Sequence, residues 1–266
     1  QPPGVFEGVL QSEDLLTEIR DYYHPEVIWS ASRLNTYGNC PFNFFADNLL
    51  KLKSRLMPED GLNPMQRGIL LHTLLERTMN KLQDQGIRLA QENMDNVVAA
   101  LDASCEEVFP SAHLRYGFQP TPLWTYEQQE LHRMLKVYLT WECIENKGRF
   151  FPYRQEAKFG IQGIEPKAYL VEADAGGFYI RGVIDRIDKD DHGNLNVIDY
   201  KSGTTKFSKE NIEEGLALQT ALYALVADRY WVDENEKVSQ SEYRHLPDQS
   251  TSGKISFKDH VAEHET

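Results

Sequence analysis

Residues 194–203 have the sequence "NLNVIDYKSG", which combines an apolar strand pattern with two charged side chains. Its apolar and aromatic side chains predict a buried strand that ends near Lys201. Asp199 and Lys201 are two positions apart, and because side chains alternate across a strand, both charges point to the same face. Burying a charged side chain inside a sheet is costly unless it is paired. We therefore expect Asp199 and Lys201 to have an oppositely charged partner or a bound ligand.

A second strand is predicted just before it, in "GFYIRGVIDRID" at 177–188, with a polar turn at 190–194 between the two. In the resulting hairpin Asp185 lies opposite Asp199, with β-carbons about 5 Å apart. Two like charges at that distance repel unless a cation joins them. The cation is either Lys201, in a structural ion network, or a divalent metal held by both carboxylates. The strand pair alone leaves both interpretations open.

Composition limits the class of protein. The 266 residues are 41% hydrophobic, enough for one large domain or two small ones. The net charge of −13 argues against a protein that coats nucleic acid by bulk electrostatics, but not against a site that holds phosphate through metal ions. The three cysteines are far apart, which argues against a disulfide framework and favours a reducing, cytoplasmic compartment. No apolar run approaches the ~20 residues of a membrane span, and the start at Gln1 rather than Met predicts a piece of a longer protein.

The hydrophobic pattern divides the chain into helices, then a mostly antiparallel sheet, then a further helix. We predict an arm at 1–27, a helical part at 28–150, a sheet part at 151–247 and a loose polar tail at 248–266. The fold class is α/β or α+β, with helices covering a central sheet.

Several predicted helices have recognisable ends. Ser30 or Ser32 is expected to cap a helix that runs towards Leu52 and that Pro41 bends or splits. Further helices are predicted after the capping pair Asn63–Pro64 and at 91–108, 123–146 and 208–230.

Two of these helices carry polar groups at one-turn spacing. Gly68, His72 and Glu76 fall on one face of the helix after Pro64, and Gln219 and Tyr223 are four apart on the last helix. Gly68 weakens its helix by roughly 1 kcal/mol relative to alanine, which suggests that something approaches closely there. Each group is also compatible with ordinary packing. Together they place polar side chains on two helices beside the acidic strands.

Four motifs occur in a fixed order: "GILLH", "GVIDRID", "VIDYKSG" and "LQTALY". This order resembles the RecB-like branch of the PD-(D/E)XK nuclease superfamily, which includes nuclease domains of helicase–nuclease B subunits and CRISPR-associated adaptation nucleases. The resemblance covers roughly residues 29–245 and includes "SRLNTYGNCPF" at 32–42, which matches an S-x-L-x-x-Y-x-x-C-P-[FY] segment. It implies a restriction-endonuclease-like core with a mixed sheet, and a nuclease domain at 28–247.

The resemblance also implies roles for individual residues. Asp185, Asp199 and Lys201 would be catalytic, Lys201 as the catalytic lysine. The implied metal ligands are His72, Asp185, Asp199 and the backbone carbonyl of Tyr200. The implied supporting or DNA-contacting residues are Gln219, Tyr223 and, at a commonly acidic position, Glu156.

The implied activity is hydrolysis of phosphodiester bonds by a metal-dependent deoxyribonuclease. Carboxylates suit Mg²⁺, and an added imidazole makes Mn²⁺ a competitor. The substrate would be single-stranded DNA or strand ends, and the partner a helicase subunit or domain in DNA repair and recombination. The alternative is a non-catalytic nucleic-acid-binding or scaffolding module that retains the fold, which the acidic charge favours and the Asp–Asp–Lys set opposes.

Many relatives in this branch hold a four-cysteine iron–sulfur cluster. Cys40 matches the first ligand position, no cysteine follows Tyr223, and Cys105 and Cys143 lie in the middle helical region. A 4Fe–4S cluster is therefore not expected in this chain. The chain ends before the other ligands, or its lineage lost the cluster, or a partner completes it. We expect Cys40 to be a packed, inert thiol.

Overall fold

The computed structural model of the chain describes residues 9–52, 61–172 and 176–257. The helices are α1 (Glu13–Tyr22), α2 (Ala31–Asn39), α3 (Pro41–Phe44), α4 (Pro64–Asp84), α5 (Met94–Tyr116), α6 (Leu123–Asn146), α7 (Lys209–Glu213) and α8 (Gln219–Tyr230). The strands are β1 (Ile28–Ser30), β2 (Phe150–Phe159), β3 (Tyr169–Val171), β4 (Phe178–Asp190), β5 (Asn194–Lys201), β6 (Lys237–His245) and β7 (Ser250–Ser256). A π-helical turn at Phe45–Leu49 and a 3₁₀ turn at Gln91–Asn93 complete the regular structure of these residues.

The helix predicted towards Leu52 is split, as Pro41 required. The Ser30 hydroxyl accepts the Arg33 N–H at 3.3 Å, which caps the start of α2. α2 ends at Asn39, and Pro41 begins α3 as its first residue because proline has no N–H to give to a continuing helix. The predicted cap and the predicted break are both confirmed.

α4 begins where the sequence predicts. The Asn63 side chain accepts the N–H of Gln66 while the Gln66 side chain accepts the N–H of Asn63, a reciprocal capping box, and Pro64 is the first helical residue. Its buried face packs with α5 and α6 in one hydrophobic cluster, which also includes Ile198 and Tyr200 of β5. The helical part of the chain thus covers one face of β5.

α5 is longer than the helix predicted at 91–108. It continues through Pro110 to Tyr116 because Ala112 is buried in the same cluster, and it ends at Gly117, whose φ of +70° suits a glycine. Within the described residues, no helix has the length and apolar character that crossing a bilayer requires.

Within residues 9–52, 61–172 and 176–257 the sheet is mixed and has seven strands. The chain clusters into two compact units, one of residues 1–33 and 158–182 and the other of residues 34–157 and 183–266. In the first unit, β1 pairs parallel and β3 antiparallel with the beginning of β4. The predicted fold class is confirmed, while the predicted division at 27/28 and 247/248 stays a prediction.

In the second unit the strand order is β4-β5-β6-β7, and β2 also pairs with β4. The β4–β5 and β6–β7 pairs are antiparallel, whereas β5 and β6 are parallel because α7 and α8 form the crossover between them. The prediction of a loose tail at 248–266 is wrong for residues 250–256, which form β7. The strand was not predicted because its serine-rich sequence lacks a clear apolar alternation. Residues 258–266 of that tail lie outside the described part.

The helix predicted over 208–230 is broken into α7 and α8. Gly215 takes a φ of +78°, and the N–H groups of Leu216 and Ala217 turn back to the carbonyl of Asn211. A left-handed glycine ends one helix and re-aims the chain before the next.

The turn before α8 is held by α2. The Asn35 side chain accepts the Leu218 N–H at 2.8 Å, and the Asn39 amide donates to the Leu216 carbonyl at 3.0 Å. Between them Gly38 packs so closely that an added β-carbon would lie 2.5 Å from the Gly215 carbonyl oxygen. These contacts position the first turn of α8.

A buried ion network ties α6 to the strands. The fully buried Arg186 contacts both carboxylate oxygens of Asp188 at 2.6 and 2.5 Å, and it contacts Glu142 of α6 at 2.6 Å. Arg186 also donates to the Tyr200 hydroxyl at 3.0 Å, and Glu142 pairs with Arg244 of β6. The network therefore joins β4, β5 and β6 to one helix.

Two helical glycines give a matched test of this packing. Gly38→Ala should lower the free energy of unfolding by roughly 1–3 kcal/mol, because the new methyl group collides with the Gly215 carbonyl. Gly68→Ala should leave it unchanged or raise it by up to about 1 kcal/mol, since its methyl group would lie 3.6 Å from the Ser202 hydroxyl, an ordinary contact. Urea unfolding followed by circular dichroism measures both, and equal effects would contradict the close approach at Gly38.

Removing the buried cation should be more damaging. Arg186→Met leaves Asp188 buried without its partner, and we expect a loss of roughly 3–5 kcal/mol in the free energy of unfolding. Arg133→Met is the control, because that arginine pairs with Glu130 on an exposed face of α6. Its unfolding midpoint should stay close to that of the wild type, and a wild-type midpoint for Arg186→Met as well would refute the network's role.

Candidate active site

The two acidic strands pair as the sequence predicts. Arg186 lies opposite Ile198 in the antiparallel register, so the next position places Asp185 beside Asp199. The Tyr200 N–H donates to Asp185 Oδ2 at 2.8 Å and holds that carboxylate against the neighbouring strand. The predicted hairpin is confirmed, and two acids share one face near the end of β5.

Asp199 is the more deeply buried acid, with 1% of its surface exposed. Burial, followed by the negative charge of Asp185, holds the pKa of Asp199 above its ordinary range, although Lys201 and His72 oppose the shift. The Lys201 ammonium nitrogen lies 2.6 Å from Asp199 Oδ2. The acid and the amine on one strand face are therefore a direct ion pair.

Lys201 is held from a second side by α8. Its ammonium donates to Gln219 Oε1 at 3.1 Å, and Gln219 is the first residue of α8. Burial disfavours the charged amine, but the charge of Asp199 and its hydrogen bond outweigh it, so the pKa of Lys201 is raised. Tyr223, one turn along α8, is hydrogen-bonded to Gln219. Gln219 therefore contacts Lys201 directly, and Tyr223 contacts Gln219.

His72 reaches the acids from α4. Its Nδ1 atom is 3.5 Å from Asp185 Oδ1. Burial lowers the pKa of His72, but the hydrogen bond and charge of Asp185, with the charges of Asp199 and Glu156, outweigh that effect and raise it to about 9. The acids therefore favour the protonated imidazole, which would have to release that proton to ligate a cation.

Three side chains converge closely enough to share a cation. Among the described residues, candidate ligand atoms of His72, Glu156 and Asp185 all lie within 4.8 Å of one another. Glu156 has a φ of +47°, a left-handed conformation that is rare for a residue with a side chain and that changes its direction within β2. The resemblance implied a supporting role for Glu156, whereas the structure brings it to the predicted ligands His72 and Asp185.

Two other predicted ligands have different surroundings. The Asp199 carboxylate is paired with Lys201, one residue beyond Tyr200. Tyr200, whose carbonyl was predicted as a ligand, holds Asp185 through its N–H and directs its ring into the helical cluster.

The converging groups line a cavity of about 320 Å³. Its lining residues are Gly68, Ile69, His72, Thr73, Glu76, Glu156 and Asp185. Two carboxylates and one imidazole are donors that suit Mg²⁺ or Mn²⁺, and the cavity leaves room for water and a phosphate oxygen. The donor set therefore fits a divalent cation. The close approach expected at Gly68 is only the ordinary contact with Ser202.

None of the three cysteines is among the converging residues of this site. Cys40 is exposed, and its Sγ accepts the Asn43 N–H at 3.4 Å, which caps α3. The expectation that Cys40 is packed away is wrong, because it occupies the junction between α2 and α3. Cys105 and Cys143 are buried in α5 and α6.

Sequence reasoning missed one close neighbour of the lysine. The ring centre of Tyr243, on β6, is 5.0 Å from the Lys201 ammonium nitrogen. Tyr243 falls within the predicted sheet part at 151–247. Its register against β5 follows from a crossover through two helices, which local pattern does not specify.

The sequence of this chain matches those of known proteins. A sequence profile for the PD-(D/E)XK nuclease superfamily matches residues 28–265. The B subunit of the ATP-dependent helicase/deoxyribonuclease of Clostridium botulinum (strain Loch Maree / Type A3) is 29% identical over 247 residues, 86% of this chain and 20% of the relative. The protein of the same name from Alkaliphilus oremlandii (strain OhILAs) is 32% identical over 212 residues, 76% of this chain and 18% of the relative. The family resemblance is confirmed, and the chain spans about a fifth of these relatives' length.

Metal binding can be tested at the converging acids. Glu156→Gln and Asp185→Asn should each weaken Mn²⁺ binding at least about tenfold in titration calorimetry, because each removes a charged oxygen donor. Glu76→Gln is the matched control, since Glu76 lines the same cavity but is not one of the three converging residues. If Glu156→Gln binds Mn²⁺ with the affinity of the wild type, Glu156 is not a metal ligand.

Proposed function

Because the chain belongs to the PD-(D/E)XK nuclease superfamily, we propose that it is a metal-dependent deoxyribonuclease domain that hydrolyses phosphodiester bonds. The observation that carries the proposal is the convergence of His72, Glu156 and Asp185 within 4.8 Å. The Lys201 ammonium, on the strand next to Asp185, adds the positive charge that phosphate chemistry requires.

Each residue has a distinct part in this proposal. A bound Mg²⁺ or Mn²⁺ would lower the pKa of water and neutralise charge on the phosphate. Asp185, Glu156 and His72 would hold the cation. Lys201, kept charged by Asp199 and oriented by Gln219, would place an N–H group towards a phosphate oxygen as negative charge develops there.

We propose DNA as the substrate, as single strands or strand ends, in a helicase-linked repair or recombination system. The names of the relatives, which join helicase and deoxyribonuclease, support this. The net charge of −13 supports local rather than bulk attraction of the phosphate backbone, with cations concentrated at the acidic site.

The direct test is DNA cleavage in Mg²⁺ or Mn²⁺. Lys201→Ala and Asp199→Ala should each lower kcat by roughly 100- to 10,000-fold, since one removes the ammonium and the other its anchor. Chelation of the metal should abolish cleavage by the wild type.

Matched surface variants provide the controls. Lys206→Ala and Asp191→Ala remove a lysine and an aspartate from exposed ion pairs and should cleave like the wild type. If the wild type, Lys201→Ala and Asp199→Ala cleave equally, the activity comes from elsewhere. If the wild type binds DNA without cleaving it, the non-catalytic module is the correct interpretation.

A further inference from the structure

The Lys201 ammonium has contacts on three sides. Asp199 Oδ2 lies 2.6 Å away and Gln219 Oε1 3.1 Å away. The third neighbour is the aromatic ring of Tyr243, whose centre is 5.0 Å from the nitrogen. An ammonium group over a ring at this distance is attracted by the electron-rich face, and the attraction grows when water is excluded.

Tyr243 reaches this position through the sheet. In the parallel pairing of β5 and β6 it is the direct partner of Asp199, and it is 1% exposed. Its hydroxyl donates to the Ala217 carbonyl at 3.1 Å and accepts the Thr220 N–H at 3.4 Å. The hydroxyl therefore ties Tyr243 to the first turn of α8, next to Gln219.

The ring itself is confined by its neighbours. Gly253 of β7 approaches so closely that an added β-carbon would lie 2.8 Å from Cδ2 of Tyr243. The Phe207 ring packs against it with centres 4.6 Å apart. A ring held at its hydroxyl and along its edge offers Lys201 a fixed surface rather than a mobile one.

We propose that Tyr243 is a positioning residue for Lys201, and that its ring aims the ammonium at the reacting phosphate; this inference rests on the proposed nuclease function. An ammonium has three N–H donors. Asp199 and Gln219 engage two of them, whereas the ring face, centred 5.0 Å from the nitrogen, attracts the ammonium electrostatically without accepting a hydrogen bond. One N–H remains for a phosphate oxygen. Without the ring, the Lys201 side chain can adopt more rotamers and water can reach its ammonium group. The ammonium is then no longer held towards the phosphate.

Two variants separate the ring from the hydroxyl. Tyr243→Leu removes the aromatic face, and kcat on single-stranded DNA with Mn²⁺ should fall about tenfold with KM for DNA within twofold of the wild type. Tyr243→Phe keeps the face and should retain kcat within about threefold. Leu101→Ala, a truncation in the helical core, is the control for lost stability and should keep the wild-type kcat per folded molecule.

A second measurement does not depend on cleavage. Acetylation of Lys201 by an amine-reactive ester, followed by mass spectrometry, should be several-fold faster in Tyr243→Leu than in the wild type or in Tyr243→Phe. Lys206 serves as the internal reference. Unchanged labelling of Lys201 in Tyr243→Leu overturns the inference, as does an equal loss of kcat in the two Tyr243 variants. If the wild type does not cleave DNA, the proposed function is overturned instead. The labelling result then tests by itself whether the Tyr243 ring shields Lys201.

Discussion

The site depends on the cost of placing two carboxylates side by side on buried strands. At an effective dielectric constant of about 20, two unit charges about 5 Å apart repel by roughly 3 kcal/mol. Asp185 and Asp199 cannot avoid each other, because a one-residue slip of β4 against β5 would turn the core side chains of both strands outward. The pair is tolerated because cationic groups reach it: Lys201 from the same strand and His72 from α4.

The opposite face of the same strands shows what a purely structural arrangement of charges looks like. There Arg186 contacts Asp188 through two nitrogen–oxygen pairs at 2.6 and 2.5 Å, a bidentate geometry that satisfies both groups. On the site face, His72 is 3.5 Å from Asp185 and a cavity lies beside them. The first arrangement is complete within the chain, whereas the second has room for another cation. Alternation along two strands thus places the structural ion network on one face and the candidate site on the other.

The parts of this arrangement that follow local rules could be predicted from the sequence. The period of two in β5 and the short turn before it placed Asp185 beside Asp199, and the Asn63 cap placed His72 on α4. The convergence of Glu156 with His72 and Asp185 could not be predicted, because its left-handed backbone breaks the alternation from which a strand pattern is read. Tyr243 could not be placed either, since a parallel pairing is set by the length and path of α7 and α8 rather than by neighbouring residues.

The same long-range dependence governs how the lysine is aimed. Lys201 bonds to Gln219, which stands at the start of α8. The turn before α8 is held by Asn35 and Asn39, which precede it by 183 and 177 residues. None of these side chains can be positioned by its own helix or strand, because each contact crosses between elements that meet only in the folded protein. The geometry around Lys201 is therefore a property of tertiary packing, because it depends on the turn that α2 holds as well as on the acidic strands themselves.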